Sequence, residues 1–418
     1  MNWRTARRTA CGVGVLLAVI APTAAEIPGL TGDTFTLAAR SGYINAGDGL
    51  SLYVWSYADG SGPMQYPGPT LIVDEGATVT VTLNNELPVP ASIVFPGQTG
   101  VTTSGGVPGL LTAEASPGAS VTYSFTASEP GTYHYHSGTD PDLQIEMGLL
   151  GALIVRPAGF NPASPRAYGH SDSAYDHEYL FLLTEMDYFV HLWVEFGLPE
   201  LVDTTAYHAV YWFINGRNAP DTMLEPTIPW FPHQPYNCLP RMHPGDRLLM
   251  RVIGGGRNLH PFHTHGNNFT IIARDGRLLE SAAGAGADLA VSDFTIQSVP
   301  GQTVDAIFEW TGAGLGWDIY GHAPGDPLEP GEYAPDHGKP FPVILPEQLE
   351  ITRGANWSGS PFLGTFGSVP PGEGGFNMNA GYFYMWHSHL EVEMVNNDIF
   401  PGGMMTMLII EPPGVPIP

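Results

Sequence analysis

The chain has 418 residues, with 41 Asp and Glu against 15 Lys and Arg, and a formal charge of −26 at neutral pH. So acidic a surface argues against nucleic acid or an anionic membrane as partner, and is equally ordinary for a soluble exported protein. The length suffices for two or three domains, while only 13% charged residues, 52 Gly and 40 Pro punctuating short apolar runs predict β-sandwiches rather than helical bundles.

The first 25 residues read as a secretory signal peptide. Arg4, Arg7 and Arg8 form a basic head, Cys11 to Ile20 an apolar run, and Thr23-Ala24-Ala25 a small-residue cleavage site before Glu26. This predicts a periplasmic or secreted protein; Arg7-Arg8 leaves both twin-arginine and general export open. No later segment has the apolar length of a membrane span. Cys11 leaves with the leader, so the mature chain holds only Cys238 and no internal disulfide, and Cys238 is expected to be a buried structural thiol.

Residues 33–158 form the first predicted domain. The run Leu71 to Leu83 alternates apolar and polar residues around Gly76, as a half-buried strand does. Residues 159–177, rich in Pro, Ala, Ser and Gly, read as a linker. Residues 178–418 form a second domain, with a Gly/Pro-rich insertion over about 311–380.

The two segments repeat one plan. Gly131-Thr132-Tyr133-His134-Tyr135-His136-Ser137 precedes the apolar run Gly148 to Val155. Gly381-Tyr382-Phe383-Tyr384-Met385-Trp386-His387-Ser388 precedes Gly403 to Ile410. Such duplication predicts an all-β protein of two Greek-key sandwiches. By this alignment Met404, Met405 and Met407 match core leucines and are expected to pack rather than bind metal.

Seven of the 15 histidines fall in three clusters, His134/His136, His260/His263/His265 and His387/His389. In a strand, residues i and i+2 face one side about 7 Å apart, so each His-x-His pair offers two imidazoles to one surface. One such pair is ordinary for a polar strand end. Three at matching positions of a repeated fold point to metal, and imidazole suits copper, zinc, iron or nickel alike. The other histidines, His322 and His337 among them, read as surface or internally satisfied groups.

His260-Pro261-Phe262-His263-Thr264-His265-Gly266 resembles the HPFHxHG motif of multicopper oxidases. Pro67-Gly68-Pro69-Thr70, Ile214-Asn215-Gly216-Arg217 and Trp386-His387-Ser388-His389 are similar to further landmarks of that family, in the same order. The layout is closest to its two-domain members. The resemblance implies two cupredoxin-like domains, copper as cofactor, a small-molecule or metal-ion electron donor, dioxygen as acceptor, and a homotrimer. It also implies His260 at the family's type 1 copper and His263 and His265 at the oxygen-reducing cluster.

This sequence departs from the family pattern at several positions. Val94 and Pro96 stand where the first family His-x-His falls, and Gly138 replaces one histidine of the second, leaving His134 and His136 as a displaced pair. Ser388 replaces the copper thiolate and Glu393 the last histidine of the final motif. A serine hydroxyl cannot form the short covalent thiolate bond of a blue site, so no blue copper is expected. The resulting metal candidates are His134, His136, His260, His263, His265, His387, His389 and Glu393. Three readings stay open: a copper oxidoreductase with a histidine-only site, a copper-sequestering protein, and a zinc-bridged assembly module.

Overall fold

The computed structural model describes residues 27–320, 322–323, 325–340, 359–361, 381–411 and 415–417. The expected leader lies outside the described residues, as does much of the expected 311–380 insertion.

Alternation along the strands builds the first half of the molecule. Thr78–Asn85 buries Val79, Val81 and Leu83 and turns its threonines outward, where the Thr82 and Thr122 hydroxyls meet at 3.0 Å. Its sheet has the order Ser51–Asp59, Thr34–Asn45, Thr78–Asn85, Ser120–Thr126, Thr102–Gly105. A second sheet, ordered Leu30–Thr31, Gly68–Asp74, Leu150–Arg156, Gly131–His136, contributes Leu71, Val73, Leu153 and Val155 to the same core. Each such aliphatic side chain contributes about 1.5–3 kcal/mol on burial.

The second half has the same construction. One sheet runs Tyr211–Ile214, His177–Met186, Arg247–Gly254, Thr303–Glu309, Phe269–Arg274, Arg277–Leu278. The other runs Arg241–Met242, Met405–Ile410, Tyr382–Ser388, His260–Thr264, Thr295–Ser298. Phe181, Phe262, Phe308 and Trp386 lie within the core between them. Cys238 is buried in this core, and burial pushes its thiol well above the ordinary range.

The repeat read from sequence is visible in the pairing. Leu150–Arg156 lies parallel to Gly68–Asp74 and antiparallel to Gly131–His136. Met405–Ile410 lies parallel to Arg241–Met242 and antiparallel to Tyr382–Ser388. The strands that carry the first and last His-x-His pairs therefore hold equivalent places. Leu149 and Met404 are both fully buried, in keeping with a packing role for that methionine. Helices are short; Tyr188–Glu195 is capped by Asp187, whose carboxylate accepts from Phe189 N, and it packs Val190 and Val194 on the first core. Among the described residues no helix is long and apolar enough to cross a membrane.

A buried charge network joins the halves. Glu178 accepts from both Arg156 and Arg251, Arg251 donates to Thr132 Oγ1 at 2.9 Å, and Thr132 donates to Asp305 Oδ1 at 2.5 Å. Burial raises the Glu178 pKa, but Arg251 and Arg156 together hold it at about 2. Thr132 sits two residues from His134, so this network fixes the strand that carries the first histidine pair.

Candidate metal centre

Strand parity separates the histidines of the central motif. Along His260–Thr264 the residues at 260, 262 and 264 are buried, whereas 261 and 263 turn to the other, half-exposed side. His263 pairs directly with His387 across the antiparallel ladder, and Phe262 with Ser388. One face of this strand pair thus collects His263, His265, His387 and His389. The opposite face holds His260, Phe262, Ser388 and Trp386.

On the first face four imidazoles converge from two strand ends. Ring centroids lie 5.0 Å apart for His263–His265, 5.7 Å for His263–His387, 4.9 Å for His263–His389 and 5.2 Å for His265–His387. Burial, then the neighbouring rings, lowers His263 to about 4 and His265 to about 3, and His387 is lowered for the same first reason. At neutral pH these three rings are uncharged and carry free lone pairs.

The hydrogen bonds fix which nitrogen faces inward. His387 Nδ1–H donates to Ser388 O at 2.6 Å, leaving Nε2 as the lone-pair nitrogen, and that atom lies 3.3 Å from His265 Nε2. His263 Nδ1 bonds the Thr295 hydroxyl at 2.8 Å. His265 Nδ1 is buried with no partner. A 3.3 Å separation suits two nitrogens that share one first-row metal ion at about 2.0 Å each. Outer-shell bonds from the second ring nitrogen are the ordinary support of ligating histidines. The residues present therefore fit copper, on donor set, protonation and orientation alike.

His260 is held differently. Its Nε2 meets Glu185 Oε2 at 2.8 Å and its Nδ1 meets Glu393 Oε1 at 2.9 Å, with all three side chains essentially inaccessible. Burial alone would lower His260, but the Glu185 and Glu393 carboxylates raise it to about 9. Both ring nitrogens are committed to carboxylates, so His260 and Glu393 pair with each other instead of joining the four-ring cluster. Ser388, at the position of the family thiolate, is fully buried on this same face, and its Oγ accepts from Leu390 N at 3.2 Å.

His134 and His136 share one face of their strand, stacked at 4.6 Å. Both nitrogens of His134 are buried without a partner, and burial followed by the His136 charge lowers it to about 3. His136 Nδ1–H donates to Ser137 O at 2.9 Å, the same bond that His387 makes in the second half. Among the described residues no ring contact links this pair to the four-ring cluster within the chain. Opposite it stand Val94, bridged to His136, and Gly138, whose missing Cβ would meet Val94 Cγ1 at 2.7 Å. Apolar packing thus fills the place of the absent family histidines.

Sequence reasoning missed Glu185. It lies 75 residues before His260 and reads as one more polar strand residue, yet it also accepts from Arg257 N and Asn258 N. Thr295 was missed for the same reason, since its role exists only through the pairing of Thr295–Ser298 with the histidine strand.

Comparison with known proteins points the same way. The family model described as multicopper oxidase matches residues 56–159. The multicopper oxidase MCE of Talaromyces pinophilus is 42% identical over 95 residues, 22% of this chain and 15% of that protein. Laccase-1 of Emericella nidulans is 36% identical over 133 residues, 30% of this chain and 22% of its own length. The chain thus spans less than a quarter of each of these two relatives. Among solved structures the multicopper oxidase mgLAC superposes with a TM-score of 0.57 at 20% identity, covering 92% of this chain and 87% of that one, a likeness of fold.

Proposed function

We propose, for a chain whose residues 56–159 match the multicopper oxidase family model, that it is an exported copper-dependent oxidoreductase working through histidines alone. The observation that carries this is the meeting of His263, His265, His387 and His389 on one face, three of them held unprotonated at neutral pH and none in hydrogen bond with a carboxylate.

Bound there, copper would supply one-electron chemistry between a donor and dioxygen. The chain's own residues supply the rest. His263, His265, His387 and His389 would hold the ion, Ser388 O and Thr295 orient two of the rings, and burial keeps protons off the ligand nitrogens. His389, with more than half of its side chain exposed, leaves the cluster open to a small donor. On the core side Glu185 and Glu393 hold His260 as an imidazolium, which occupies the place of the family's blue copper. Electron entry is therefore direct, at the open face.

His134 and His136 complete the proposal. The two unpartnered nitrogens of His134, and the absence among the described residues of a ring contact from this pair to the cluster of its own chain, suit a homotrimer in which each pair meets the four rings of a neighbour. The test is copper-loaded protein given a phenol, Fe(II) or Cu(I) while dioxygen is followed. Turnover without an intense thiolate-to-copper band is the expected result. Full copper occupancy with no turnover on any donor would make the protein a copper-binding one, and an intense blue band would overturn the histidine-only site.

A further inference from the structure

A second group of ligand-type side chains lies in the stretch that follows the Thr303–Glu309 strand. Asp318, His322, Glu332 and His337 each bring one ligand atom within 4.8 Å of the others. His322 Nδ1 stands 3.0 Å from Asp318 Oδ2 and 3.3 Å from Glu332 Oε1. His337 Nδ1 stands 2.8 Å from Glu332 Oε1 and 3.9 Å from Asp318 Oδ2. The two rings are 4.9 Å apart.

The group is built into the fold rather than scattered over a surface. Asp318 is inaccessible and Glu332 nearly so, while the histidines keep 13% and 21% of their side chains exposed. Asp318 is flanked by Trp317 and Ile319, both in the second core, and its carboxylate also accepts from Tyr320 N and Gly338 N at 2.8 Å each. His337 Nε2–H donates to Asp326 O at 2.9 Å, which turns the Nδ1 lone pair inward in the neutral ring. A lone pair facing a carboxylate oxygen at 2.8 Å requires a cation between or beside them. A proton on each histidine is one answer and a single metal ion is the other.

A separate observation favours the metal. The Tyr320 hydroxyl is buried with no partner, its ring lies 5.6 Å from that of His322, and burial and then the Glu332 and Asp318 charges raise its pKa. Two histidine-bound protons would leave that oxygen as it is, whereas an ion in the group offers it a nearby centre or a bound water. Two imidazole nitrogens and two carboxylate oxygens make a tetrahedral donor set suited to Zn²⁺, with no sulfur to draw Cu(I).

We propose that Asp318, His322, Glu332 and His337 bind one divalent first-row metal ion of the zinc class, separate from the four-histidine cluster. Its role is structural. The ligands come in two pairs, 318 with 322 and 332 with 337, so the ion would pin both ends of this excursion against the second core.

Metal-free full-length chain, titrated with Zn²⁺ and counted by equilibrium dialysis, tests this. Wild type is compared with His337→Gln, with His322→Gln, and with a His263→Ala/His387→Ala control. One equivalent lost from both Gln variants, and retained by the control, is the expected result, together with a Zn²⁺-dependent rise in Tm that the Gln variants lack. Since His337 is partly exposed, His337→Gln remains informative if His322→Gln fails to fold. Equal Zn²⁺ counts in wild type and in folded His337→Gln would overturn the proposal.

Discussion

Two faces of one strand hold histidines in opposite states. His263 and His265 look outward as neutral rings, with an orphaned nitrogen and no carboxylate in hydrogen bond. Three residues earlier His260 looks inward and carries a proton between Glu185 and Glu393. The difference shows how side-chain company decides the fate of an imidazole: burial among other imidazoles drives protons off, and burial between carboxylates retains one. One face is thereby suited to metal and the other to keeping a proton.

The largest effect should come from breaking each face separately. Glu393→Ala leaves a buried imidazolium and Glu185 without their third member, and should cost about 3–5 kcal/mol in denaturant unfolding while copper content stays unchanged. His387→Ala should do the reverse, weakening copper binding on the order of 100-fold or more by competition with a chelator, with little change in stability. Loss of copper in folded Glu393→Ala would mean that the two faces are not independent.

Acidity separates the faces next. The His260 pKa is raised in the folded state, so its contribution, about 3 kcal/mol, is fully present below about pH 6.5 and is lost as pH rises through about 9. Unfolding midpoints measured from about pH 6 to pH 10 should therefore fall across that window in wild type, and hardly at all in a His260→Gln variant that folds. Copper retention should run the other way. The ring pKa values of about 4 for His263 and about 3 for His265 predict copper held down to about pH 5 and released as pH approaches those values.

Thr295→Val tests the finest part of the comparison. It removes the hydroxyl on His263 Nδ1 and should weaken copper binding about 10–100-fold, at a stability cost of about 1 kcal/mol. Copper affinity unchanged in that variant would mean that Thr295 does not orient the ring.

Much of this was legible in the chain. The alternation around Val79 to Leu83 and the repeated His-x-His strands follow from local periodicity, which a strand writes directly into sequence, while HPFHTHG was legible through its resemblance to a family motif. Parity alone places 260 and 263 on opposite faces, as the family resemblance also implies. What sequence could not supply was company. Glu185 reaches His260 only because His177–Met186 and His260–Thr264 lie in facing sheets of one sandwich, and Glu393 reaches it from a short turn between Tyr382–Ser388 and Met405–Ile410. His322 and His337 read as unremarkable because their partners, Asp318 and Glu332, are sparse residues in a Gly/Pro-rich stretch with no strand to phase them. That His134 and His136 make no ring contact with the four-ring cluster among the described residues was equally hidden, since spacing along the chain carries no account of which faces meet.

The central claim is that the outward face holds copper and the inward face a proton. Crystals of copper-loaded protein, measured for anomalous scattering at the copper edge, test it directly. The account predicts a peak among His263, His265, His387 and His389, and none between His260 and Ser388. A copper peak beside His260, with Glu185 or Glu393 displaced from the ring, would contradict it.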